Sequence, residues 1–159
     1  VRLSGFRSVT AGSASTRSQP SITGSAMAVM LLDIDNFKRI NDGYGHDVGD
    51  QVLIDVAEFL RLQLRASDCC VRWGGEEFLV VVPDTRPGTV LLLAERLRAQ
   101  IADRCQPQVG RVTISFGVAL SAFGDTPTLL LKRADEALYR AKQRGRNRIE
   151  MQLEETLPR

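Results

Sequence analysis

The spacing of hydrophobic and polar positions changes several times along the chain, and each change marks an element. AVMLLDID, residues 28–35, is an apolar run of strand length that ends in carboxylates. DQVLIDVAEFLRLQLRAS, residues 50–67, places Val52, Val56, Leu60 and Leu64 four apart with Leu53 and Ala57 beside them, which predicts an amphipathic helix. VRWGGEEFLVVVP, residues 71–83, reads as two strands around a Gly74-Gly75 turn. A turn from Pro83 to Gly88 leads into a second helix over residues 89–104, with Val90, Ala94, Leu97 and Ile101 on one stripe. RVTISFGVAL, residues 111–120, alternates with period two and predicts a strand. A last helix starts at Thr126 as cap with Pro127 at its first position, and Lys142, Arg144 and Gly145 mark its end. This order predicts an α+β domain with a mainly antiparallel sheet covered by helices.

Residues 8–26 show no apolar period and are rich in Ser, Thr, Gly and Ala. The expected organisation is a flexible or divergent leading segment over residues 1–26, a domain over 27–150 and a tail over 151–159. The chain begins at Val1 rather than Met, as expected of a piece of a longer protein. With 159 residues, 43% hydrophobic and 25% charged, the chain suits one domain with a real core. A net charge of +2 gives no electrostatic footprint for a nucleic-acid polymer or a membrane surface. No apolar run approaches the roughly 20 residues that span a bilayer. Cys69, Cys70 and Cys105 are odd in number and lack C-x-x-C spacing, so they are expected as buried free thiols of a cytoplasmic domain.

The carboxylates stand out because desolvating a charge at the mouth of a buried strand is costly unless something pairs with it. Asp33 and Asp35 end the first strand, and Glu76 and Glu77 follow the hairpin turn. If those strands are neighbours, Asp33 and one glutamate converge as an all-oxygen donor set, which suits Mg²⁺ shared with substrate phosphates. A pair of such ions can bind a triphosphate, activate a hydroxyl and stabilise leaving oxygens. Asn36-Phe37-Lys38 follows at once and is expected to open a short helix whose free N–H groups attract anions, with Lys38 adding charge. The alternative is ordinary solvated strand ends.

LLDIDNFKRINDGYGHDVGD at residues 31–50, RASD at 65–68, RWGGEEF at 72–78, TISFGVA at 113–119 and ADEALYRAKQRGRN at 134–147 together resemble the GGDEF domain family, the diguanylate cyclases of bacterial signalling. The resemblance implies a nucleotidyl-cyclase or polymerase palm-like sheet of about five strands surrounded by helices. It implies that two GTP condense into cyclic di-GMP and pyrophosphate, across a homodimer brought together by a fused sensor or receiver domain.

Carried over by residue, the resemblance implies that Asp33, Glu76 and Glu77 are catalytic. Asp33, the Ile34 carbonyl, Glu76 and Glu77 are expected to hold two Mg²⁺ or Mn²⁺ ions. Phe37, Lys38, Lys142 and Arg146 are expected on the phosphates, Gly74 and Gly75 along the nucleotide, and Asn41 and Asp50 on guanine. Asn41 and Asp50 also read as turn residues, since Asn, Asp and Gly crowd residues 41–50. His46 is expected to fix a loop by hydrogen bonding rather than to serve as ligand or base.

Arg65 and Asp68 are expected to form, with Arg96, an inhibitory site for cyclic di-GMP. The plain alternative is an i,i+3 ion pair at an exposed helix end. Family members usually open with D-x-L-T-G-L-x-N-R, and only RLSGF at residues 2–6 echoes it, with Val1 in place of the acid and Val9 in place of the arginine. That departure leaves a second reading, a catalytically weak domain that serves as a cyclic di-GMP receptor. A purely structural dimerisation domain has no need of Asp33, Lys38, Asp50 and Glu76 together.

Overall fold

The computed structural model describes residues 26–152, so the leading segment with its RLSGF echo and residues 153–159 lie outside the described residues. The elements are β1 (Ala26–Ile34), α1 (Phe37–Tyr44), α2 (His46–Gln63), β2 (Cys69–Arg72), β3 (Glu77–Thr85), α3 (Pro87–Asp103), β4 (Cys105–Gln106), β5 (Gly110–Arg111), β6 (Ile114–Leu120), α4 (Pro127–Gln143) and β7 (Ile149–Gln152). Five strands make one sheet in the order β2-β3-β1-β6-β7, antiparallel except for the parallel β6–β7 pair, and β4–β5 form a separate small hairpin. The fold is α+β and palm-like, as the sequence predicts.

Alternation along β1 decides where the helices go, because successive side chains of a strand face opposite ways. Ala28, Met30, Leu32 and Ile34 face a core built with α1, α2 and α3, whereas Val29 and Leu31 face Leu130, Ala134 and Leu138 of α4. Gly117 of β6 brings α4 unusually close: a Cβ there would lie 2.1 Å from the Ala134 carbonyl oxygen and 2.3 Å from the Leu138 amide nitrogen. Thr126 caps α4 by accepting from the Leu129 N–H at 3.2 Å, with Pro127 at the first turn, as expected.

Several boundaries move for physical reasons. The helix expected over residues 50–67 runs from His46 to Gln63. It starts early because Gly45, at φ 91°, breaks the chain between α1 and α2. It stops early because the Asp68 carboxylate takes the Arg65 N–H at 2.9 Å, a side-chain acceptor in competition with the helix ladder. Pro83 is not in a turn but in β3, which bulges against β1 near Asp84 at φ 48°, beyond the end of β2. The strand expected from residue 111 begins at Ile114. The sheet takes in Ala26 and, through β7, Met151 and Gln152, residues that the sequence assigns to the flanking segments.

The thiols are less buried than expected: Cys69 and Cys105 are exposed and Cys70 is half-buried. The pair Cys69–Cys70 lies on the edge strand β2, where alternation turns only Cys70 toward the core. Burial, with Cys69 alongside, pushes the Cys70 thiol up to about 12. No helix among the described residues is long and apolar enough to cross a membrane.

Candidate active site

The end of β1 brings two acids together. Asp33 pairs in register with Glu77 of β3 on one side and with Ser115 of β6 on the other. The Ile34 N–H donates to the Glu76 carbonyl at 3.2 Å, which ties the hairpin loop to the same strand end. Asp33 is 6% exposed, and its Oδ2 accepts from Lys142 Nζ of α4 at 2.8 Å. Burial raises the Asp33 carboxyl above the ordinary carboxylate range, and the Lys142 ammonium pulls it part of the way back. Glu77 is raised as well, by burial first and the Asp33 charge second. Oxygen donors whose charged form burial disfavours fit a hard divalent cation, which would offset that cost. Among the described residues no three His, Cys, Asp or Glu side chains stand close enough to form a finished metal cage.

The hairpin loop is braced from an unexpected side. Arg72 Nε donates to the carbonyls of Gly74 and Gly75 at 3.1 and 3.2 Å, and its Nη2 reaches Gly75 at 2.6 Å. The Trp73 N–H closes the loop onto the Glu77 carbonyl at 2.8 Å. A Cβ on Gly75 would meet nothing within 4 Å, so nothing inside the domain calls for glycine there. The opening it leaves beside the acids is room for a ligand to approach the backbone. Sequence reasoning missed Arg72, although its place two residues ahead of Gly74 was a usable signal.

Phe37 and Lys38 open α1 as predicted, Phe37 buried and Lys38 exposed. Asn36, left-handed at φ 55°, gives α1 no side-chain cap, so the first amides remain available to an anion. Asn41 and Asp50 are not turn residues: Asn41 belongs to α1 and exposed Asp50 to α2. Gly49 lets the two helices meet, since a Cβ there would lie 1.8 Å from Asn41 Oδ1. His46, expected in a loop, is the exposed first residue of α2.

Beyond α4 the chain reverses through three left-handed residues in succession, Gly145 (φ 112°), Arg146 (φ 62°) and Asn147 (φ 45°). That conformation costs a non-glycine residue about 1–2 kcal/mol, so it needs anchors. The Arg146 N–H donates to the Ala141 carbonyl at 3.0 Å, and the Asn147 N–H donates to Asp35 Oδ2 at 2.9 Å. Asp35 also accepts from Thr113 Oγ1 at 2.7 Å and Ser115 Oγ at 2.6 Å. Asp35 is therefore no solvated strand end: it is 6% exposed and satisfied from within. Lys142 and Arg146 both reach the acids, the first by direct contact and the second through its charge on Asp33.

Arg65, Asp68 and Arg96 meet elsewhere, in a groove of about 540 Å³ that Gln63, Thr85, Thr89 and Leu92 also line. Arg65 and Asp68 sit in the turn after α2 rather than on the helix end. The Asp68 side chain is 1% exposed beneath the 60% exposed Arg65, with Nη2 to Oδ1 at 3.4 Å. Arg96 reaches the same groove from α3 and donates to the Gln63 carbonyl at 3.3 Å.

The family model described as "Diguanylate cyclase, GGDEF domain" matches residues 9–148. The response regulator PleD of Caulobacter vibrioides (strain NA1000 / CB15N) is 46% identical over 132 residues, which are 79% of this chain and 29% of PleD. The chain spans about a third of the length of the curated relatives it matches, 29% of PleD and 30% of the diguanylate cyclase DgcM of Escherichia coli (strain K12). Among solved structures, the GGDEF domain of DgcB from Caulobacter crescentus, in complex with c-di-GMP, superposes with a TM-score of 0.77 at 34% identity, over 80% of this chain and 78% of that one. The active GGEEF domain of a diguanylate cyclase from Vibrio cholerae gives 0.77 at 36% identity, over 82% and 85%. Agreement in sequence along most of the chain and in fold around the same strand end leads to one assignment: the chain belongs to the diguanylate cyclase GGDEF family.

Proposed function

We propose that this domain binds one GTP and, facing a second copy, condenses two GTP into cyclic di-GMP. The observation that carries the reading is the pairing of Asp33 with Glu77 at a buried strand end, beside the open face of Gly75 and the Lys142 ammonium. The 3′-hydroxyl of one GTP attacks the α-phosphate of the other and pyrophosphate leaves; the same exchange in the opposite sense closes the ring. One domain cannot do both, so a homodimer is required, and a sensor or receiver domain outside this chain brings the copies together. The GTP pool places the reaction in the cytoplasm.

Each residue then has a task. Asp33, Glu76, Glu77 and the Ile34 carbonyl hold two Mg²⁺ or Mn²⁺ ions, which when bound supply charge neutralisation and Lewis acidity at the phosphates. The amides of Phe37 and Lys38, the Lys38 side chain, Lys142 and Arg146 position the triphosphate. Asn41 and Asp50 read guanine, because a carboxylate accepts from the N–H donors of its Watson–Crick edge and repels the acceptor N1 of adenine. Gly74 and Gly75 let the backbone lie against the nucleotide, and Arg72 holds them in place. Incubation with GTP and Mg²⁺ followed by chromatography should yield cyclic di-GMP, and Glu76→Gln should abolish it while the fold persists. Wild-type turnover in that variant would remove Glu76 from the metal site.

The groove supports product feedback. Arg65 turns from Asp68 to grip guanine O6 and N7, Asp68 accepts from N1 and N2, and Arg96 adds a second guanidinium. Because this groove is built from other residues than the acid cluster, it also supports the second reading, a cyclic di-GMP receptor. Product binding without GTP turnover would select it.

A further inference from the structure

We propose that Arg98 and Asp35 are positioning residues: acting through Asn147, they fix the loop that carries Arg146 and so set where its guanidinium meets the triphosphate. The inference rests on the cyclase reading of Arg146 given above. Gly145, Arg146 and Asn147 are all left-handed, and a loop of that kind does not hold itself. Asn147 is gripped twice. Its N–H donates to Asp35 Oδ2 at 2.9 Å, and its side-chain Oδ1 accepts from Arg98 Nη1 at 2.8 Å. Both anchors are themselves immobilised. Arg98 is oriented by two further hydrogen bonds to Glu95, one turn earlier on α3, and Asp35 by the Thr113 and Ser115 hydroxyls. Arg98 from α3 and Asp35 from just past β1, the latter held by Thr113 and Ser115, thus meet on one asparagine, and the residue before it is Arg146.

The neighbouring cation is held differently. Lys142 lies on α4 itself and is fixed by Asp33, so releasing Asn147 loosens Arg146, which keeps only its N–H bond to the Ala141 carbonyl at 3.0 Å, and leaves Lys142 in place. Neither Arg98 nor Asn147 has an assigned contact with nucleotide; their influence runs through the loop.

The test is a double-variant cycle on binding, which needs no turnover. Calorimetry with a GTP analogue that cannot transfer its α-phosphate, and with guanosine, gives the preference for the triphosphate in wild type, Arg98→Ala, Arg146→Ala and the double variant. Arg146→Ala should lower that preference roughly 10- to 100-fold, the worth of a charge-assisted contact. Arg98→Ala should lower it by part of that factor, Arg98→Lys should recover some of the loss, and the double variant should lose no more than Arg146→Ala alone. Additive losses overturn the positioning role, as does an Arg98→Ala protein that melts lower yet keeps the full preference. A silent Arg146→Ala overturns the proposal together with the phosphate assignment of Arg146, which separates that failure from the first two.

Discussion

Gly117→Ala tests how the fold carries the site. Gly117 is central in the sheet, opposite Leu31 of β1, and α4 crosses directly above it. The added methyl would lie 2.1 Å from the Ala134 carbonyl oxygen, 2.3 Å from the Leu138 nitrogen and 2.7 Å from the Leu138 Cβ, where ordinary contact is 3.4–4 Å. Two of these are backbone atoms, so no rotamer change relieves the clash and α4 must withdraw by roughly 1 Å. Withdrawal loosens Leu130, Ala134 and Leu138 from the sheet. Overpacking of this kind costs about 1–3 kcal/mol, and the upper end applies because backbone must move. At about 2–4 °C per kcal/mol for a domain of this size, the melting temperature should fall by roughly 6–12 °C. Lys142 lies one turn beyond Leu138 on the same helix, so the 2.8 Å contact with Asp33 should stretch as well. Circular dichroism melts measure the first effect and GTP affinity the second. A melting temperature within about 2 °C of wild type would show that α4 does not sit as close to β6 as described.

Gly75→Ala is the counterpart: its Cβ would meet nothing within 4 Å, so stability should change by less than about 0.5 kcal/mol while GTP binding and turnover fall, as melts beside calorimetry would show. Arg65→Ala removes a long 3.4 Å contact from an exposed guanidinium, while the buried Asp68 carboxylate keeps the backbone N–H of residue 65 at 2.9 Å, so melting should change little, whereas cyclic di-GMP affinity should drop about 5- to 150-fold for a lost bidentate contact worth about 1–3 kcal/mol. Because Glu77 titrates higher folded than unfolded, its contribution is fully favourable below the ordinary carboxylate range and is lost as pH rises through its raised value. Glu77→Gln should therefore melt higher than wild type at neutral pH without metal, with the advantage vanishing in acid and Mg²⁺ stabilising the variant less; melts at both pH values check this.

The fold was legible wherever one short segment carries its own pattern. The apolar run of β1, the four-residue spacing of Val52, Val56 and Leu60, and the Thr126-Pro127 start of α4 are local statements, and local physics honours them. Elements defined by distant partners were not legible. Ile149–Gln152 has neither length nor a marked pattern, and it is a strand because Phe116 to Ala119 lie beside it in parallel. The Asn41–Asp50 segment is rich in turn formers, yet it is helical on both sides of Gly45, because Gly49 allows α2 to pack on Asn41.

The same division runs through the site. Asp33 and Asp35 look alike in the sequence, two carboxylates ending one strand, but they do opposite work. Asp33 lies in the strand, paired with Glu77, and shares a dry strand end with a second acid and one lysine. Asp35 lies past the last paired residue, where its N–H already donates to the Thr113 carbonyl at 2.9 Å. Its carboxylate is then filled by Thr113, Ser115 and Asn147, partners 78 to 112 positions away that no local pattern announces. Two residues of sequence thus separate an acid that burial holds above the ordinary carboxylate range from an acid fully satisfied by donors. On the cyclase reading the first takes a cation, and the second holds the loop that carries Arg146.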